Sequence, residues 1–204
     1  MNYNIKLIKS ENYTQTYWSG GMGTELATYP ENSSYSNRDF LWRLGIAKID
    51  ILESTFSTLP NVFRYLMVTD GTITLNHENK YTITLTPFEQ DSFMGDWTTK
   101  TYGRASVFNL MTKEEYRGEL LYLDIPKNKQ KIFSYNSSYN KEIIAMCFYA
   151  ANGSFKTILN NKTFEVKTND LLTIDYFSQS VLSKLVFNNT SNENSKIVIS
   201  IIYR

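Results

Sequence analysis

The sequence predicts an all-β protein whose short strands form a sandwich or barrel from two related halves. Three observations predict this class: apolar side chains alternate with a period of two, turn residues separate the apolar runs, and hairpin signals recur at a constant offset of 82 residues. Helical periodicity extends over one turn at most, at Thr112–Tyr116. A chain of 204 residues can bury a sizeable core without disulfides or metal ions.

The first half contains the clearest strand signals. Phe40–Ile49 alternates between two faces, one that begins with Trp42 and one that begins with Arg43. Asp70-Gly71 lies between two further apolar runs and accepts the positive φ values of a two-residue turn, which predicts a hairpin. Tyr81–Leu85 then adds a third strand after a short polar break.

The second half repeats this pattern, which predicts a duplicated β unit. At the offset of 82 residues, four residues recur: Gly71 as Gly153, Asn79 as Asn161, Lys80 as Lys162 and Thr86 as Thr168. The apolar residues of Tyr81–Leu85 fall one position out of phase with those of Thr163–Lys167, so a bulge or a chance match stays open. We assign residues 1–115 and 116–204 to the two halves, packed as one unit, with polar Pro126–Lys141 as their connection. The predicted strands of the second half are Glu119–Ile125, Ile143–Ala150, Ser154–Leu159, Thr163–Lys167, Leu171–Asp175, Val181–Phe187 and Lys196–Tyr203.

The charge balance excludes several partner classes. Lys and Arg number 21 against 20 Asp and Glu, so no basic surface is predicted for nucleic acid or an anionic membrane. The longest apolar run, Ile143–Ala151, is far shorter than the roughly 20 residues that span a bilayer. No signal peptide is visible at the N-terminus, and the single Cys147 lies in a core strand without a partner, so we expect a cytoplasmic protein.

The residue inventory argues against a metal site and against any cofactor. His77 is the single histidine, whereas a histidine-based metal centre needs several imidazoles. The neighbours of His77, Glu78 to Lys80, indicate a solvated loop, which disfavours a catalytic triad. Arg43 has two readings: it faces the interior beside small Gly45 and Ala47 and pairs with an anion, or it lies in solvent while Trp42 faces the core.

Several short motifs follow one another over residues 15–115. They are Trp18–Gly21 with Glu25, Phe40–Arg43 with Ala47, Phe56-Ser57 with Pro60 and Arg64, Gly71, Phe93–Asp96 and Phe108–Thr112. In order and spacing they resemble the HutD/Ves family. That resemblance implies a metal-free double cupin, a double-stranded β-helix in each half forming a bicupin, and a small-molecule site.

The resemblance also implies which residues form the site. Arg43 and Arg64 would hold an anion, since a guanidinium donates two parallel hydrogen bonds to a carboxylate. The remaining ligand-binding candidates are Trp42, Phe56 and Ser57, which would shape the cavity, Asn109 and Met111, which would close it, and Glu25. Three positions depart from the family pattern and put the ligand's identity in doubt: Gly45, Asn61 to Phe63 before Arg64, and Val107.

The resemblance implies a regulatory protein of histidine utilisation that binds a carboxylate such as urocanate or formylglutamate. One alternative is a metal-independent isomerase or lyase in which a tyrosine or Glu25 acts as acid and base. The other is a non-catalytic homodimer whose abundant aromatic residues form the interface.

Overall fold

The computed structural model describes residues 3–135, 142–176 and 184–204. Within these ranges the regular secondary structure is β-strand, apart from one 3-10 helix at Ser10–Asn12. The first eleven strands are β1 Tyr3–Ile8, β2 Thr14–Trp18, β3 Gly21–Tyr29, β4 Trp42–Ile49, β5 Glu53–Thr55, β6 Val62–Gly71, β7 Ile73–His77, β8 Tyr81–Leu85, β9 Gln90–Met94, β10 Thr99–Tyr102 and β11 Ala105–Lys113. The others are β12 Arg117–Ile125, β13 Gln130–Phe133, β14 Ile143–Asn152, β15 Phe155–Leu159, β16 Lys162–Val166, β17 Leu171–Tyr176, β18 Leu185–Asn189 and β19 Ser195–Tyr203. The all-β prediction is confirmed.

The chain divides into two compact units. One unit is Tyr13–Gly118, and the other joins Met1–Asn12 to Glu119–Arg204. The division therefore differs from the predicted one at the N-terminus, where β1 pairs with β17 of the second unit. The Asp170 carboxylate fixes this end of the chain, because it accepts hydrogen bonds from Nζ of Lys9 at 2.8 Å and from the backbone N of Ser10 at 2.9 Å.

Each unit contains two antiparallel sheets whose strand orders correspond. In the first unit the orders are β2-β3-β4-β11-β6-β9 and β5-β10-β7-β8. In the second unit they are β1-β17-β14-β19-β12 and β13-β18-β15-β16. The series β4-β11-β6-β9 has the same arrangement as β12-β19-β14-β17, and the two smaller sheets match strand for strand. This correspondence confirms the two related halves.

The phase mismatch in the repeat has a simple cause, a one-residue difference in loop length. His77 pairs with Tyr81 across a three-residue loop, whereas Leu159 pairs with Lys162 across a two-residue loop. Beyond this loop the structural offset is therefore 81 residues rather than 82. The strands β8 and β16 then show the same burial pattern. The letter match of Thr86 with Thr168 is not structural, since Lys167 occupies the place of Thr86.

The predicted hairpin at Asp70-Gly71 is wrong. Asp70-Gly71 does not close a hairpin, since β6 pairs with β9 and β11 while β7 pairs with β8 and β10. Gly71 has the expected positive φ of 78°, but it turns the chain from one sheet into the other. At Thr112–Tyr116, where the sequence allowed one helical turn at most, β11 ends at Lys113 and a turn follows.

Two predicted segments of the second half include residues outside the described ranges. In Pro126–Lys141, the described part contains strand β13 rather than a linker, and residues 136–141 lie outside. In Val181–Phe187, residues 181–183 lie outside, and the described end belongs to β18.

The core of each unit is formed by the inward faces of its strands. In the first unit these include Ile49, Val68 and Val107, and in the second unit Met146 and Phe148. Cys147 is buried, and burial raises its pKa well above the ordinary value. Both units therefore have an apolar core formed by the inward faces of their strands. The first unit also buries the polar residues Arg64, His77 and Asn109.

Candidate functional site

Three neighbouring strands of the first unit bring the two predicted arginines together. Met111 on β11 pairs with Arg43 on β4 on one side and with Arg64 on β6 on the other. Directly opposed residues of antiparallel strands point to the same face, so the three side chains form one row across the sheet. Ala47 and Ile49 follow Arg43 along that face of β4, where they contribute to the core. The structure therefore supports the alternative in which the side chain of Arg43 faces the interior.

Arg64 is the most buried charge in this row. It is 6% exposed, and its Nη2 donates to Oδ1 of Asn109 at 3.3 Å. Its guanidinium carbon lies 4.5 Å from the ring centre of Phe56 and 5.1 Å from that of Phe93. Its Nε is buried and has no hydrogen-bond partner among the described residues. Arg64 is thus held by aromatic rings and by one neutral amide, with one donor unsatisfied.

Burial lowers the pKa of the Arg64 guanidinium from its ordinary value to about 10; the phenol of Tyr35 raises it and the charge of Arg43 lowers it. A group with this pKa keeps its proton at neutral pH. The interior of the first unit therefore contains a positive charge whose removal from water is unfavourable.

Arg43 has an internal counterion, unlike Arg64. Its Nε donates to Oε2 of Glu25 at 2.9 Å, and its guanidinium carbon lies 4.8 Å from the ring centre of Tyr35. A Cβ at Gly45 would come within 2.7 Å of Nη1 of Arg43. The absence of a side chain at Gly45 therefore makes room for this guanidinium. Glu25 balances the charge of Arg43, and within the described ranges no ion pair balances Arg64.

Two predicted residues, Trp42 and Ser57, make no recorded contact with the arginines. Trp42 precedes Arg43 on β4 and therefore points to the opposite face, where it stacks on Tyr29 with ring centres 5.9 Å apart. It does not line the arginine side of the sheet. Ser57 is exposed on the segment between β5 and β6. Glu25, Phe56, Asn109 and Met111, in contrast, lie around the two arginines.

Sequence reasoning missed two aromatic residues at the site. Phe93 on β9 pairs with Arg64 on β6. Its ring stacks on that of Phe56, with ring centres 6.4 Å apart. The alternation of β9 could have indicated its inward direction. Tyr35 lies between β3 and β4 in a segment without periodicity, so no sequence signal pointed to it.

His77 is not on a solvated loop, as the sequence suggested, but is 1% exposed at the end of β7. Its Nε2 lies 2.8 Å from Oδ2 of Asp91, and its Nδ1 lies 2.8 Å from Oγ1 of Thr99. Its ring centre is 4.5 Å from that of Phe93, which separates it from Arg64. The hydroxyl of Tyr81 also donates to Asp91, and burial followed by this bond raises the pKa of Tyr81 to about 12. A hydrogen-bonded polar cluster thus lies behind the arginine site.

The HutD family model matches residues 10–186 of the chain. The chain belongs to the HutD family. Its fold is similar to that of HutD from Pseudomonas fluorescens SBW25, with a TM-score of 0.73 and 19% identity over 98% of this chain and 100% of that one. It is also similar to a conserved protein of unknown function from Pseudomonas aeruginosa PAO1, with a TM-score of 0.78 and 17% identity over 98% of both chains.

This HutD-family chain also shares its fold with a protein whose structure contains a metal. Bacterial pirin YhhW from Escherichia coli, in complex with nickel(II), has a TM-score of 0.67 and 10% identity over 97% of this chain and 98% of that one. In the part of our chain that the structure describes, no group of three or more His, Cys, Asp or Glu residues could hold a metal ion. The same part includes no helix with the length and apolarity that a membrane crossing requires.

Proposed function

We propose that this HutD-family protein binds a small carboxylate-bearing metabolite at Arg64 of its first unit and acts as a cytoplasmic regulator or ligand buffer. The observation that carries this proposal is the state of Arg64. Its charge is buried, its Nε has no partner in the described chain, and no carboxylate neutralises it. An anion that reaches Arg64 would supply the missing charge and the missing acceptor.

The chemistry of the surrounding groups favours a carboxylate. A guanidinium offers Nε and one terminal nitrogen along one edge, in a geometry that matches the two oxygens of a carboxylate. Because Nη2 donates to Asn109 through a long 3.3 Å bond, a ligand oxygen can replace that weak contact. The ring centres of Phe56 and Phe93 lie 4.5 and 5.1 Å from the guanidinium carbon, so a ligand has to approach Arg64 from a side that these two rings leave open.

Arg43 has a supporting role in this proposal. Its positive charge attracts an anion toward the row, but Glu25 already occupies its Nε. Glu25 also accepts a hydrogen bond from the backbone N of Tyr35. The isomerase or lyase alternative assigned acid and base chemistry to Glu25. Because Glu25 is engaged by both groups, we propose ligand binding rather than catalysis.

Calorimetric titration with urocanate, N-formylglutamate and histidine tests the proposal. We expect one of the two acids to bind the wild-type protein with one site per chain, and Arg64→Met to lose that binding. Arg104→Met is the matched control, since Arg104 is an exposed arginine of the same unit whose Nε donates to the backbone oxygen of Asp50. Binding that persists unchanged in Arg64→Met would refute the assigned site, and binding lost in Arg104→Met would indicate an indirect effect.

A further inference from the structure

Tyr35 lies over the arginine row although it is outside every strand. It belongs to the segment between β3 and β4 and packs against the buried cluster of Phe40, Leu59, Val62 and Met111. Met111 is the residue that pairs with both Arg43 and Arg64. The contact of Tyr35 with this cluster therefore places it on the side of the sheet that carries the row.

Two contacts fix the orientation of Tyr35. Its backbone N donates to Oε2 of Glu25 at 3.3 Å, the same oxygen that accepts from Nε of Arg43. Its ring centre lies 4.8 Å from the guanidinium carbon of Arg43, within the range of a cation–π contact. Glu25 and Arg43 thus hold the backbone and the ring of Tyr35 in a fixed place.

The phenol group of Tyr35 has no such engagement. Among the described residues its hydroxyl makes no hydrogen bond, although the ring is half-buried. The phenol acts electrostatically on Arg64, opposing the effect of burial on that group's pKa. The ring contacts Arg43 and the cluster that includes Met111, so an unengaged hydroxyl is present on the side of the sheet where Arg64 is buried without a counterion.

We propose that Tyr35 contacts the ligand directly, with its hydroxyl donating a hydrogen bond to the carboxylate that Arg64 holds. This inference rests on the proposed function and names a further binding residue of the same site. A carboxylate has about four lone-pair positions, so it can accept two bonds from a guanidinium and a third from a phenol. Tyr35 thereby selects for a ligand with two acceptor oxygens at this end.

The test compares Tyr35→Phe with wild type, using sodium formate and urocanate as probes. The substitution removes the hydroxyl but keeps the ring that packs against Arg43 and the cluster around Met111. We expect binding of both probes to weaken by about tenfold, the size typical of a hydrogen bond to a charged group. Tyr17→Phe is the control, since Tyr17 is 76% exposed on β2, and it should bind like wild type.

A second measurement follows the hydroxyl itself. In protein labelled with ¹³C at the tyrosine Cζ, the resonance that disappears in Tyr35→Phe should shift when formate is added. If formate and urocanate bind in an Arg64-dependent manner but Tyr35→Phe binds as well as wild type, the role of Tyr35 is wrong and the Arg64 site remains. If neither probe binds the wild-type protein at up to about 100 mM, both proposals fail.

Discussion

The two units of this protein have the same sheet orders but different interiors. Arg64 pairs with Phe93 and Met111, and at the corresponding place Met146 pairs with Ile174 and Ile201. Other corresponding pairs extend the contrast: Asn109 with Ile199, Asp91 with Leu172, and His77 with Leu159. The second unit therefore has apolar residues at the places of these four polar residues.

This difference shows that the fold does not require the polar interior. Burying a charge or an amide is unfavourable unless its partners compensate for lost water, and aliphatic residues avoid that loss. The second unit provides a stable reference for the same architecture. We infer that the polar groups of the first unit are retained for binding, and four predictions test the contrast.

The largest expected effect is in Met146→Arg. This change places the buried charge of the first unit into aliphatic surroundings without an amide, and we expect a loss of about 3–5 kcal/mol in the free energy of unfolding. Urea denaturation measures this free energy, and the reaction of Cys147 with a thiol reagent at each urea concentration monitors the unfolding of the second unit. Met146→Leu is the control and should change stability by less than about 1.5 kcal/mol. A well-tolerated arginine would show that the second interior is also adapted to charge.

His77→Leu should have the next largest effect. It introduces the residue found at Leu159 but removes the imidazole that is hydrogen-bonded to both Asp91 and Thr99, and we expect a loss of about 2 kcal/mol in the free energy of unfolding. The double variant His77→Leu, Asp91→Leu matches the second unit more fully and should recover at least half of that loss. All three tryptophans, Trp18, Trp42 and Trp97, lie in the first unit, so their fluorescence during urea denaturation reports it.

If the double variant were less stable than His77→Leu alone, the cluster would be part of the structural core of the first unit. The comparison with Leu159 and Leu172 would then not describe its role. Formate titration of the double variant, in which Arg64 is unchanged, distinguishes further between a structural role and a binding role of the cluster.

Arg64→Met should stabilise the first unit by about 1–2 kcal/mol, since an aliphatic side chain replaces a buried charge without a counterion. Folding lowers the pKa of Arg64 from its ordinary value to about 10, so the cost of its charge is fully present below pH 10 and declines as the pH rises above it. The advantage of Arg64→Met over wild type should therefore shrink between pH 9 and pH 11. Tryptophan fluorescence in urea at each pH measures this, with Arg104→Met as reference; a destabilised Arg64→Met would contradict the prediction.

The smallest effect concerns Cys147. Burial raises the pKa of its thiol, so the reactive thiolate is scarce at pH 8 and we expect negligible labelling by a thiol reagent in the native protein. Labelling should become complete in urea, at the unfolding midpoint of the second unit. Rapid labelling without denaturant would mean that β14 opens locally, and the second unit would then be a poorer reference than its packing indicates.

Alternation along the strands determined how much the sequence could predict. It correctly separated the faces of Trp42 and Arg43, but the family resemblance placed both at one site, which adjacent strand residues cannot share. The same alternation joins Ile73, Leu75 and His77, so it could have shown that His77 points inward. The polar residues Glu78 to Lys80 led to the incorrect prediction that His77 is in a solvated loop. They form the loop after β7, whereas His77 is the last residue of that strand.

Two features had no readable signal. Gly71 was correctly assigned a positive φ, but a hairpin turn and a corner between sheets both use that conformation, so the sequence could not distinguish them. Tyr35 is positioned by Glu25 and by the cluster around Met111, contacts between residues distant in sequence and outside any period. Such placements depend on tertiary packing.

The unequal loops after β7 and β15 determine how the two halves should be aligned. After the gap, Phe88 corresponds to Asn169, whose backbone N donates to Ala150 as that of Phe88 does to Val68, both at 2.7 Å. A gapless alignment would instead match Asp91 with Thr173 and conceal the replacement by Leu172. Placing a single insertion in this loop thus converts a marginal internal similarity into a residue-by-residue guide for exchanging side chains between the halves.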